Sequence, residues 1–216
     1  MYLVQTSRKS ISSLQLSKEL DVTQKTAWFL LHRVREACKQ GDWKLTNVVE
    51  VDETYVGGKE RNKHNNKKLR SGRGPVGKQA VIGARERGGN VKARAISNTD
   101  VDTLKGFIHG NVEPGSTVFT DEHRGYLGLG GILYNHKSVK HSAKEYVNGM
   151  IHTNGIESVW AILKRGYTGT FHHFSIKHLQ RYVDEFTFRL NEGNVDRDTI
   201  DRIKSVCAAS KGKRLT

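Results

Sequence analysis

The sequence predicts an α/β protein: a mixed β-sheet with helices packed on its faces, led by a small pair of helices. Two observations carry that expectation. Runs rich in β-branched and aromatic residues fill the middle of the 216-residue chain in the order strand, strand, strand, helix, strand. Apolar stripes of helical period lie before and after them.

At the front, Ser12 and Ser13 precede Leu14, Leu16 and Leu20, and Asp21 with Val22 makes a break. Thr23 then reads as an N-cap. Behind it, Ala27, Leu30, Leu31 and Val34 recur at i, i+3, i+4 and i+7. Two short helices across a tight break predict a helix-turn-helix over residues 1–43. Gln24, Lys25, Thr26, Arg33 and Arg35 lie off the stripe, where they could face DNA. A plain helical hairpin fits the same spacing equally well.

The run VVEVDETYV at 48–56 reads as a strand that stops at Gly57 and Gly58. Its apolar residues fall on both faces, as in a central buried strand. Residues 59–74 hold seven Lys or Arg, one Glu and almost nothing apolar, which makes a loop. Strands are expected at 80–84 and 91–96 around a turn at Gly88, Gly89 and Asn90, then a helix at 101–109. Pro114 and Gly115 turn into a further strand at 116–120, which ends at Asp121. Ile156, Val159, Trp160 and Leu163 form one late helical stripe. Leu179, Tyr182, Val183, Phe186 and Leu190 form another, capped by Ser175. Residues 47–191 thus read as the main domain and 192–216 as a polar, basic tail, irregular or frayed.

Composition narrows the function. Thirty-six Lys and Arg against 22 Asp and Glu give a net charge of +14. Such a chain suits a polyanion, usually nucleic acid. No apolar run approaches the roughly 18 residues of a membrane span, so no membrane partner is expected. The N-terminus lacks a signal-peptide pattern. The two cysteines, Cys38 and Cys207, form no C-x-x-C pair, which argues against a disulfide framework or a cysteine zinc site and for a reducing cytoplasm. Seven histidines between His123 and His178 show no zinc-ligand spacing.

A carboxylate inside an apolar strand is expensive unless it is used or paired. Asp52 is such a residue. Asp121, at the end of a second strand, is also a natural turn-former. Glu157 has a bland alternative too: with Asn154 as N-cap, Asn-x-x-Glu resembles a capping box. Two carboxylates from strands and one from a helix can together hold two Mg²⁺ or Mn²⁺ ions, because hard cations favour oxygen ligands. Two such ions clamp both reacting oxygens of a phosphodiester.

Asp52, Asp121 and Glu157 resemble the triad of ribonuclease-H-like DDE transposases. Thirty-five residues separate Asp121 from Glu157, and Lys164 follows Glu157 by seven. The motifs VDETYVGGKE, TDEHRGY, HTNGIESVWAILKRG and KHLQRYVDEFTFRLN look like the ISXO-two-like branch of bacterial insertion-sequence transposases. The resemblance covers about 12–191. It implies a ribonuclease-H-like domain behind a helix-turn-helix, with Asp52, Asp121 and Glu157 holding two Mg²⁺ or Mn²⁺ ions and no zinc. It implies double-stranded DNA, element ends and target, as partner, and a homo-oligomer on it. Lys164 becomes a catalytic phosphate contact. Lys25, Arg33, Lys63, Lys67, Lys68, Arg70 and Arg165 are the further expected DNA contacts.

Two departures from the family stand out. Relatives usually begin with a cysteine-rich zinc ribbon, and no cysteine precedes Cys38 here. Some relatives use an asparagine as third ligand, so Asn154 competes with Glu157. The expected function is metal-dependent cleavage at transposon ends and strand transfer. A catalytically idle DNA-binding remnant or repressor, and a structure-selective nuclease on the same fold, are the alternatives.

Overall fold

The computed structural model describes residues 1–7, 9–39, 41–69, 75–139, 152–193 and 197–212. The chain divides into two compact units, Asp42–Ala161 and Met1–Gly41 with Ile162–Thr216.

The Asp42–Ala161 unit is built on a five-stranded mixed sheet. Its strands are β1 (Val48–Val56), β2 (Gln79–Glu86), β3 (Val91–Ile96), β4 (Thr117–Thr120) and β5 (Asn135–Ser138). They lie in the order β3-β2-β1-β4-β5. β1 is central, antiparallel to β2 and parallel to β4, and β4 is parallel to β5. β2 and β3 form an antiparallel hairpin. Burial on both faces explains why β1 reads as a nearly continuous apolar run. Helix α4 (Val101–Asn111) follows β3, and Asp100 caps it by accepting from the Thr103 N–H. Leu104, Phe107 and Ile108 of α4 join Val49, Val51, Ile82, Ala84 and Val118 in the core. This is the mixed sheet with packed helices expected from the sequence. β5 was not legible there, because its sequence, NHKS, has no apolar alternation.

The other unit is helical. α1 (Tyr2–Thr6) and α2 (Ser13–Glu19) precede α3 (Gln24–Ala37), and α6 (Leu179–Asn191) and α7 (Thr199–Ser210) follow later. Ser12 and Thr23 cap α2 and α3 by accepting from the Gln15 and Thr26 N–H groups. The break between them turns at Asp21, in the left-handed region at φ 50°. The apolar stripe differs from expectation. Leu14, Leu20 and Leu30 are exposed, and the contact is made by Leu16, Ala27 and Leu31 with Val4 and Ile11. Arg35, expected to face DNA, is buried, and its Nε donates to Glu185 Oε2 at 2.7 Å. Ser175 does not cap α6 directly; a 3-10 turn, Ile176–His178, intervenes, and the serine makes no capping bond.

The tail is corrected as well. Thr199–Ser210 is helical, capped by Asp198 accepting from the Ile200 N–H, with Val206 buried. Its sparse apolar spacing, Ile200, Ile203 and Val206, is hidden in sequence by the lysines and arginines around it. Among the described residues, no helix is long and apolar enough to cross a membrane.

Candidate active site

Asp52 sits on β1 opposite Gly83 of β2. A Cβ at position 83 would stand 2.5 Å from Trp160 Cη2. The glycine therefore leaves the space that the indole of α5 (Asn154–Gly166) fills. Trp160 Nε1 donates to Asp52 Oδ2 at 3.0 Å. Burial first, then the charge of Asp121 and to a smaller extent that of Glu157, push the Asp52 carboxyl up to about 6. Asp52 thus feels the charge of both other carboxylates singled out from the sequence.

Asp121 follows β4. The parallel register sets Glu50 beside Phe119, and Asp52 and Asp121 each lie two residues further on. Asp121 also plays its turn role, since Oδ1 accepts from the His123 N–H at 2.9 Å. Glu53, the neighbour of Asp52, points to the opposite face of β1. Its Oε1 lies 3.8 Å from His123 Nδ1. Burial, with Asp121 and Asp52 adding to it, pushes Glu53 up to about 7.

Glu157 stands exposed in the first turn of α5. Asn154 is not the N-cap. Thr153 takes that place: its carbonyl accepts the Glu157 N–H at 3.1 Å, and its hydroxyl donates to Glu157 Oε1 at 3.1 Å. The capping-box reading of Asn154 with Glu157 therefore does not hold, because the helix begins one residue earlier. Asn154 is exposed at the first helical position. Among the described residues, no three His, Cys, Asp or Glu side chains are gathered closely enough to hold a metal ion as they stand.

Several residues near these carboxylates were missed in the sequence. Glu50 is 1% exposed on β1 and is held by Arg87. Arg85 reaches α5, where its Nη1 donates to the Gly155 carbonyl and the Ser158 hydroxyl, both at 2.7 Å. The signal for Glu50 and Glu53 was present, since the argument that singles out Asp52 applies to every carboxylate of that apolar strand. Trp160 read as core, and its indole N–H only acquires a partner through Gly83.

Of the expected DNA contacts, Lys25 and Arg33 are exposed on α3, and Lys164 and Arg165 are exposed in the last turn of α5. Lys67 and Lys68 are exposed in the loop after β1. Lys63 is half-buried and ion-paired with Glu60 at 2.6 Å. Arg70 lies outside the described residues.

These features sit in a chain whose residues 44–191 match the ISXO2-like transposase domain. The chain belongs to that family. It is also 30% identical over 196 residues to an uncharacterized protein of the transposable element ISH50 of Halobacterium salinarum, covering 84% of this chain and 65% of the relative. The chain thus spans just under two thirds of the length of the relative it matches. Among solved structures it is similar to a chain in the structure of the simian T-cell lymphotropic virus intasome in complex with PP2A regulatory subunit B56 gamma, with a TM-score of 0.41, 10% identity and coverage of 97% of this chain and 76% of that one. It is also similar to the Mos1 transposase paired-end complex with left transposon end, with a TM-score of 0.26, 11% identity and coverage of 94% and 75%. Likeness at those scores extends to no residue and no role.

Proposed function

We propose that this chain is a metal-dependent DNA transposase that cleaves at element ends and joins the freed 3′-hydroxyl to target DNA. The observation that carries the reading is a half-buried Asp52 carboxylate that feels the charges of both Asp121 and Glu157, in a chain of a transposase family. Like charges set near one another favour an arrangement in which a cation stands between them as counter-charge. Their oxygens are the donors that hard divalent cations prefer.

Asp52, Asp121 and Glu157 would hold two Mg²⁺ or Mn²⁺ ions, with Asn154 as the rival third ligand. Bound there, the ions would supply Lewis acidity to the attacking and leaving oxygens of a phosphodiester. Trp160 fixes one oxygen of Asp52. The Thr153 hydroxyl orients one oxygen of Glu157. Lys164 contacts a DNA phosphate as a point charge, and exposed Lys25, Arg33, Lys67, Lys68 and Arg165 contact the backbone of double-stranded DNA. Engagement of two element ends calls for more than one copy of the chain. The N-terminal helices, residues 1–43, act as a DNA-contacting helix-turn-helix, and 47–191 as the catalytic segment.

The test is a strand-transfer assay with a plasmid carrying this gene between its natural flanking sequences, purified protein and Mg²⁺. Cleaved ends and joined products are expected, both lost on chelation. Binding without cleavage would overturn the reading in favour of an idle DNA-binding protein. Cleavage without joining would favour a nuclease.

A further inference from the structure

Glu50 shares a face of β1 with Asp52, two residues away, yet it points at no reacting group. Both of its oxygens are occupied. Oε1 accepts from Arg87 Nε at 2.9 Å, and Oε2 accepts from the Ile156 N–H at 3.0 Å. Arg87 continues the chain of bonds, with Nη2 donating to the His152 carbonyl at 3.2 Å. The Ile156 N–H is one of the donors that a helix start leaves without an intrahelical partner, and the helix dipole favours a carboxylate there. Gly155 permits this approach, because a Cβ at that position would stand 2.5 Å from Glu50 Oε2. Arg85 grips the same turn from β2 through the Gly155 carbonyl and the Ser158 hydroxyl.

A buried ion pair is a poor way merely to attach a helix, since apolar packing does so at smaller desolvation cost. What a carboxylate adds is direction. Its bond to one particular N–H sets the rotation and the axial position of the first turn. Ile156 immediately precedes Glu157, and one residue of slip turns a helix by about 100°.

We propose that Glu50 is a positioning residue: held by Arg87, it sets the register of α5 and so the side of the helix from which Glu157 can approach Asp52 and Asp121. The proposal rests on the reading that these three carboxylates bind divalent cations. Its consequence is that metal affinity depends on a glutamate that is not a ligand. Partners of this kind, one shell out from the metal, typically change affinity by about 10–100-fold when removed.

The experiment is calorimetric titration of the full chain with Mn²⁺, without DNA, alongside thermal melting. Glu50→Gln is expected to weaken Mn²⁺ binding about 10–100-fold. Gly155→Ala should act in the same direction by displacing the Glu50 carboxylate from the helix side. Val118→Ala, a change in the core cluster that includes Leu104, Phe107 and Ile108 of α4, is expected to lower the melting temperature and leave Mn²⁺ affinity unchanged. Folded Glu50→Gln that binds Mn²⁺ within twofold of wild type overturns the proposal while the metal reading stands. Wild type that binds no Mn²⁺ overturns the metal reading and this proposal with it. If Glu50→Gln does not fold, Arg85→Met removes the second tether and leaves the Glu50–Arg87 pair in place. Unchanged affinity in both Arg85→Met and Gly155→Ala then overturns the proposal.

Discussion

Asp52 and Glu53 hold their protons well above the ordinary carboxylate range, at about 6 and about 7. A carboxyl raised in the folded state stabilises the fold when protonated. That contribution is complete below the unfolded pKa and is lost as pH rises through the folded one. For Asp52 the window runs from about 4 to about 6, and for Glu53 from about 4.5 to about 7. Metal-free protein should therefore melt lower at pH 7.5 than these two groups would allow at pH 5. Asp52→Asn should raise the melting temperature in chelator at pH 7.5 and gain little at pH 5. A variant less stable than wild type at pH 7.5 would contradict the repulsion. His32 acts with the opposite sign. Burial first, then Arg35 and nearby cations, lower it to about 3, so stability from this residue is lost as pH falls below about 6.5. The comparison must accordingly be between variants at one pH and not between pH values alone.

The third ligand is also decided at this scale. Glu157→Gln is expected to abolish cleavage and joining while leaving DNA binding and melting temperature nearly unchanged, because a glutamine oxygen can still accept the Thr153 hydroxyl and the first-turn Ile156 N–H is held by Glu50. Asn154→Ala is expected to retain activity. An active Glu157→Gln beside a dead Asn154→Ala would assign the metal to the asparagine. Combined losses among Asp52→Asn, Asp121→Asn and Glu157→Gln should be far from additive, as for groups that act as a unit.

Among the elements, α3 and α6 are tied by Arg35 and Glu185, both essentially buried. Burial alone would raise the glutamate, but Arg35 and Arg189 outweigh it and hold the carboxyl below its usual range. Glu185→Gln leaves two buried arginines, Arg35 and Arg189, without their shared counter-charge, so it should destabilise by about 3–5 kcal/mol, read by denaturant unfolding. Adding Arg35→Met to it should recover part of the loss. If the double variant is as unstable as the single one, the pair is not what costs. Gly83→Ala tests the other joint. Its Cβ would collide with the Trp160 ring and drive the indole off Asp52, at roughly 1–3 kcal/mol in stability. Loss of Mn²⁺ affinity should accompany it.

For the whole molecule, the net charge of +14 predicts electrostatic DNA binding. Log affinity should fall with log salt at about −0.9 per neutralised phosphate. Lys67 and Lys68 are exposed, so replacing both with Ala should weaken binding across sequences and flatten the slope by up to about two phosphates' worth. Lys63 is engaged by Glu60, and its replacement should change the slope less. A total slope below about two phosphates would contradict the charge argument.

The sequence by itself determined the α/β class, the central strand at Val48–Val56, the cap Thr23, and the three carboxylates worth testing. Each follows from a signal local in the chain: β-branched runs, apolar period, a charge where charge is expensive. Only the tertiary structure decided which side chains those signals serve. Arg35 looked free because its partner lies 150 residues away, and Glu50 looked like an ordinary strand residue because its partners are Arg87 and a helix N–H beyond residue 150. Gly83 and Gly155 have no local turn to explain them; they are glycines because Trp160 and Glu50 occupy the space a Cβ would need. Strand β5 and helix α7 were illegible for a related reason. Their local pattern is weak, and they form where the rest of the chain offers a strand edge to pair with or a surface on which to bury Val206. Contacts between residues far apart in the chain are fixed by packing and directional bonding in three dimensions, and no window of sequence carries them.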